Sequence, residues 1–198
     1  MLAVFDRHVR HWHLVAANAV ALTWFVAMTV VSRLALPDVA LFRCPVGFCA
    51  GGYTREELRG TLDLIGEDGR EYLRDTLLPL DLALPALLLV ALVISYVWFS
   101  RPGEPGTVAL SAGARYGLLA VPVLYAIADY GENWAVARLL DAYPAIDDAL
   151  AGRASFLTAC KSQLVALSIG IAGALAVVGW GSAHGYRRNG DHPPSGRR

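Results

Sequence analysis

The chain has 198 residues, 56% of them hydrophobic and 17% charged, with a mean hydropathy of +0.45. A soluble domain is ordinarily about 45–50% apolar and about 25% charged, so this balance points to a membrane protein and excludes intrinsic disorder. Seventeen basic and seventeen acidic residues cancel, which removes the global positive field that a nucleic-acid partner would need.

Charge is also segregated along the chain, uncharged stretches alternating with charged ones as in a polytopic membrane protein. Crossing a hydrocarbon core of about 30 Å takes roughly 20 apolar helical residues. Residues 14–32 contain no Asp, Glu, Lys or Arg and end at Arg33. Residues 82–100 are equally free of formal charge and stop at Arg101. The longest such run, 162–186, lies between Lys161 and Arg187. A flawed span at 116–140 is interrupted by Asp129, Glu132 and Arg138. The expected fold is therefore all-α: one membrane domain over 1–198 with four transmembrane helices, at about 14–32, 82–100, 116–140 and 160–183. An outer loop fills 33–80, and the tail 187–198, rich in Gly, Pro and Arg, is expected to be disordered.

Orientation follows from the basic residues at the ends and in the short loops. With the N-terminus inside, the inner segments hold Arg7, Arg10, Arg101, Arg115, Arg187, Arg188, Arg197 and Arg198, against Asp6, Glu104 and Asp191. The outer loop has six arginines accompanied by eight acids. Trp12, Trp98, Trp180 and Tyr116 all fall near the inner ends of their helices, as an aromatic belt does. The expected location is the cell membrane, multi-pass, with both termini cytoplasmic and lipid as the constant partner. A cleaved signal peptide is the alternative for this first run, but its apolar part is long for a signal-peptide core and no convincing A-x-A-like site follows it.

The first connection is the only one large enough to fold outside the bilayer. Thr54-Arg-Glu-Glu57 has the form of a capping box, and Leu58, Leu62 and Ile65 follow at helical spacing. Gly66 ends that short helix. Asp68 can open a second one through Tyr72, Leu73 and Leu77, which Pro79 bends or restarts. Such an amphipathic pair would lie at the interface and cover the mouth of the bundle. The second connection, 102–106, is a Pro-Gly turn, and Tyr143-Pro144 breaks the third span before Asp147 or Asp148 caps the fourth. On the fourth span Ala166, Gly170 and Ala174 form one small-residue stripe and Ser168, Ala172 and Ala176 another. These favour close packing within the chain, or a homo-oligomer through the same face.

Polar residues inside the spans gather on one side. Asp81 opens the second span; Tyr125, Asp129, Glu132 and Asn133 share a face of the third; Cys160, Lys161 and Gln163 enter on the fourth at a similar depth. Arg74 lies two helical turns before Asp81. Acids from two helices and a base from a third thus converge in the outer half, while the inner half has almost nothing ionisable. An ionisable group within a span costs about 2.5–3.5 kcal/mol on insertion scales, so these side chains are expected to face the bundle interior. A neutral acid beside a charged one is the arrangement that proton relays and general acid–base sites use. The bland reading has Asp81 capping its helix, Arg138 neutralising Glu132 and Asn133 joining two helices.

Cys44 and Cys49 face the outer space in this topology and are disulfide candidates. Two thiols on the outer side of four spans resemble, in architecture, the thiol-oxidising membrane proteins of the vitamin K epoxide reductase type. That likeness would imply electron relay and quinone chemistry, but the chain has no C-x-x-C and Cys160 adds a single thiol rather than a second pair. His8, His11, His13, His184 and His192 all fall on the inner side, so no zinc site is expected among the outer acids. There is no Walker A sequence, no G-x-S-x-G and no H-E-x-x-H, and neither a cofactor nor a metal is expected.

Three functions fit these residues. In one, the outer half binds a lipid-like or small amphipathic ligand, with Lys161 or Arg74 meeting an anionic headgroup and Asp129 or Glu132 exchanging a proton or contacting it. Chemistry on that ligand would make the protein an enzyme, although no nucleophile is evident. In another, the chain is a non-enzymatic tetraspan subunit or assembly factor whose polar residues lock its helices. In the third it is a proton-coupled transporter acting as a dimer.

Overall fold

The computed structural model describes residues 8–36, 51–104 and 106–190, with side chains as far as residue 182. Among these residues every regular element is helical. Cys44 and Cys49, and with them the candidate disulfide, lie outside the described residues.

The first helix, α1 (His11–Ala35), buries only Ala21. It packs chiefly on the helix Ala83–Phe99, called α4 below. Asn18 Nδ2 donates to Ser95 Oγ across that contact at 3.0 Å, and Trp24 Nε1 donates to the Leu80 carbonyl at 3.2 Å. An apolar helix with almost no buried face is stable where lipid replaces water around it.

After the loop, α2 (Arg55–Tyr72) starts at a formed capping box: the Thr54 side chain accepts from the Glu57 N–H, and Glu57 accepts from the Thr54 N–H at 2.8 Å. Gly66 interrupts it with φ +71°, a left-handed conformation that glycine tolerates without a Cβ clash. Leu58, Leu62 and Ile65 lie on one side of α2, buried against Ala135, Val136, Leu139 and Leu140, and against Ile146, Ala151 and Ala154. This apolar cluster caps the loop end of the bundle.

The chain does not pause before the next span. A π-helical turn (Leu73–Leu77) leads into α3 (Leu78–Asp81), and a single turn residue at Leu82 precedes α4 (Ala83–Phe99). Prolines explain both irregularities. Pro79 has no N–H for the Asp75 carbonyl and Pro85 has none for Asp81, so the ladder loosens just before each ring.

α5 (Ala112–Ala142) is capped by Ser111, whose hydroxyl accepts from the Ala114 N–H. α6 (Asp148–Gly190) begins where Asp147 Oδ1 accepts from the Leu150 N–H at 2.7 Å. That start lies twelve residues before the 160 expected for its membrane span. At the other end α6 passes residue 187, where the sequence reading opens a disordered tail, and no proline interrupts it before Pro193. α5 packs mostly on α6, while α4 touches α1, α5 and α6. Tyr96 Oη donates to the Ser168 carbonyl at 2.9 Å, so the Ser168 stripe of α6 faces the bundle. Ala166, Gly170 and Ala174 are exposed.

Three helical stretches are long and apolar enough to cross a membrane: His11–Ala35, Arg55–Phe99 and Asp148–Ser182. The 31-residue α5 is not among them, because Asp129, Glu132, Arg138 and Asp141 interrupt its second half.

Candidate functional site

The charged residues of α5 decide where the site lies. Tyr125, Asp129, Glu132 and Asn133 are all buried, together with Ala126, Ala128, Ala135 and Val136 between and beyond them. The polar residues therefore point into the protein on the same face as its small apolar residues. Asp129 and Glu132 are each 1% exposed.

Lys161, on α6, stands between the two acids. Its Nζ lies 2.8 Å from Asp129 Oδ1 and is ion-paired with Glu132 Oε2. The remaining oxygens are also engaged. Tyr125 Oη donates to Asp129 Oδ2 at 2.6 Å, and the Thr158 hydroxyl donates to Glu132 Oε1. Thr158 also lies 3.0 Å from the Ala154 carbonyl, the ordinary back-bond of a helical threonine. One ammonium is thus bracketed by two carboxylates inside the α5–α6 contact, where low local dielectric strengthens each interaction.

Asp81 lies within electrostatic range of this group. It ends α3, is half-buried, and interacts electrostatically first with Lys161 and then with Asp129 and Glu132. Asn133 lies beside its carboxyl. Asn133 is 6% exposed, yet its Nδ2 makes no hydrogen bond of normal geometry.

Tyr53, just ahead of α2, reaches the same group from the loop. Its backbone N–H donates to Ser155 Oγ at 2.7 Å. Gly52 lies so flat on α6 that a Cβ there would stand 2.5 Å from Ser155 Oγ. The Tyr53 hydroxyl comes next to Thr158 and near Glu132 and Lys161, but makes no hydrogen bond of normal geometry. Burial pushes the Tyr53 phenol up to about 12, so it stays protonated at neutral pH.

Six of the seven residues expected at the site come together: Asp81, Tyr125, Asp129, Glu132, Asn133 and Lys161. Arg74 does not join them; it pairs with Asp141 at 2.8 Å on the surface. Arg138 is exposed, and the cation facing Glu132 is Lys161. Cys160 is a half-buried free thiol and Gln163 is exposed. Sequence reasoning missed Thr158, although its spacing of three from Lys161 places it on the same side of α6. It also missed Tyr53, whose link to Ser155 spans 102 residues and leaves no local signal.

The opposite end of the bundle holds the arginines that the sequence places between the second and third spans. Arg101 and Arg115 are both buried there. Arg115 Nε donates to Ser100 Oγ at 3.0 Å and its Nη2 to the Val97 carbonyl at 3.4 Å. The Arg101 guanidinium lies 4.6 Å from the centre of the Trp98 ring and donates to the Val9 carbonyl. These carbonyls and the negative end of the α4 dipole make the last turn of α4 a natural seat for arginine. Among the described residues, no three of His, Cys, Asp and Glu are grouped to hold a metal ion.

The fold defines the class: a helical protein with three helices long and apolar enough to cross a membrane. No protein-family model, curated protein or solved structure matches the chain.

Proposed function

We propose that the chain is a four-span integral membrane protein of the cell membrane, with cytoplasmic termini, in which Asp81, Asp129, Glu132 and Lys161 form a proton-handling site in the outer half. α5 is the fourth span on this reading. Its acids are turned inward, so its hydropathy understates its fitness for lipid. The α2 segment is an amphipathic cover at the outer interface.

One observation carries the proposal: two buried carboxylates, Asp129 and Glu132, contact a single ammonium, with a third acid, Asp81, in electrostatic range of it. A simple structural lock would need one acid per base, and well-packed apolar residues would serve as well or better. The surplus of acid leaves room for one proton. It also disfavours an anionic headgroup as ligand, since Lys161 is already engaged twice and Arg74 is paired elsewhere. An amphipathic ligand would present a hydrogen-bond donor or a positive charge to this group.

The test is infrared difference spectroscopy on the protein in lipid nanodiscs as pH is stepped. Wild type is compared with Asp81→Asn, Asp129→Asn and Glu132→Gln. A reversible protonated-carboxyl band, removed by one substitution while helix content is unchanged, is the expected result. A wild type without such a band, with variants that are merely less stable, would assign the cluster to helix locking.

A further inference from the structure

The three acids of the site differ in how firmly donors hold them. Asp129 accepts on both oxygens, from Lys161 Nζ at 2.8 Å and from Tyr125 Oη at 2.6 Å. Glu132 is engaged on both as well, by the Thr158 hydroxyl and by its ion pair with Lys161. Donors on every oxygen favour the ionised form, and each of these two residues is 1% exposed. Two acids on one base leave this triad with a net negative charge.

Asp81 stands apart. It is half-buried rather than enclosed, and the two ion pairs of Lys161 go to the other acids. Its neighbour Asn133 makes no hydrogen bond of normal geometry through Nδ2, so that donor does not hold the Asp81 carboxyl. The backbone around Asp81 is also interrupted. Asp81 ends α3, Leu82 is a turn residue, and Pro85 offers no N–H to the Asp81 carbonyl. The carbonyls on either side take side-chain donors from two other helices: Trp24 Nε1 of α1 donates to Leu80 at 3.2 Å, and Tyr130 Oη of α5 to Leu82 at 3.1 Å. The break is therefore pinned between α1 and α5 with Asp81 at its centre. Irregular backbone within a membrane span survives where protein groups take up its carbonyls, and ion and proton sites recur at such breaks.

The charged and titratable groups facing Asp81 are Lys161 from α6 and Asp129, Glu132 and Tyr125 from α5. Residues 14–32 of α1 and 82–100 around α4 carry no Asp, Glu, Lys or Arg. On the preceding turn Arg74 and Asp75 are exposed, the first paired with Asp141. We infer that Asp81 is the acid that exchanges the proton, and that Asp129, Lys161 and Glu132 are a fixed ionised triad beside it. This rests on the proton-handling reading above. In the step, the Asp81 carboxylate takes a proton from the aqueous phase on the outer side and one O–H bond forms. No other bond changes, and the four groups together lose one negative charge.

The experiment records infrared difference spectra of the protein in lipid nanodiscs between about pH 8 and about pH 5.5, a window in which exposed carboxyls stay almost wholly ionised. Protein made with ordinary aspartate is compared with protein whose aspartates carry carbon-13 in the side-chain carboxyl. The label lowers the frequency of an aspartic acid band and leaves a glutamic acid band in place. The expected wild-type result is a reversible protonated-carboxyl band that the label shifts. Asp81→Asn should lose that band, whereas Asp81→Glu should keep a band that no longer responds to the label. Because Asp81→Glu retains a carboxyl, it decides should Asp81→Asn fail to fold. A wild-type band indifferent to the label assigns the proton to a glutamate, and a band in Asp81→Glu that still shifts assigns it to another aspartate. Either result overturns the inference while leaving the proton site intact. Absence of any titrating band in wild type overturns both.

Discussion

Lys161 Nζ lies 2.8 Å from Asp129 Oδ1, although the two residues are 32 positions apart and on different helices. Both side chains are almost wholly enclosed, and Glu132 shares the same ammonium. The contact between α5 and α6 is therefore built around charges that water does not solvate.

Removing the cation should be the most damaging single change in the protein. Lys161→Met leaves two buried carboxylates facing each other, and breaking a buried pair in this way costs about 3–5 kcal/mol. The triple variant Lys161→Met, Asp129→Asn, Glu132→Gln should recover much of that loss, because neutral amides need less solvation. Thermal unfolding in detergent checks both. A Lys161→Met protein with the wild-type midpoint would mean that the ammonium is not the keystone of this contact.

The strap over α6 should be intolerant of a methyl group. Gly52 has φ +74°, where an L-residue costs about 1–2 kcal/mol, and its Cβ would meet Ser155 Oγ. Gly52→Ala is expected to lower stability by at least that amount. Ser155→Ala should return the part due to collision but not the part due to backbone strain. Comparing the two single variants with the double variant separates the terms, and strictly additive losses would count against the close approach.

Acid should weaken the start of α2. The Thr54 N–H, and then its hydroxyl, hold the Glu57 carboxyl below its ordinary value of 4.5. A carboxyl lowered on folding contributes stability above its unfolded pKa, and that contribution is lost as pH falls through the folded value. Glu57→Gln should therefore flatten the acid limb of the unfolding midpoint below about pH 4.5. Thr54→Ala should cost about 1 kcal/mol at neutral pH through loss of the cap. A Glu57→Gln variant with the wild-type acid limb would show that the box is not formed in solution.

Arg74 provides a control. Its pair with Asp141 is exposed on both sides, so Arg74→Gln should change stability by less than about 1 kcal/mol and leave the carboxyl band of the site unmoved. Loss of that band in Arg74→Gln would restore Arg74 to the site.

The sequence by itself determined the helical class of structure and named most of the residues that the structure gathers around Lys161. Uncharged runs of helical length require helices that tolerate apolar surroundings, and that property is local. The same holds for the Thr54 capping box and for the face shared by Tyr125, Asp129, Glu132 and Asn133, which follow from contacts one helical turn apart. Only the tertiary structure decided which base meets which acid. Lys161, Arg138 and Arg74 were all available in sequence, and α5–α6 packing chose the first by placing it within the buried face. Tyr53 and Thr158 were assigned in the same way, because the Gly52–Tyr53 strap is held by a bond to Ser155 that spans 102 residues. Local periodicity states which side chains share a face of one helix, whereas the partner that face meets is set by how separate helices pack.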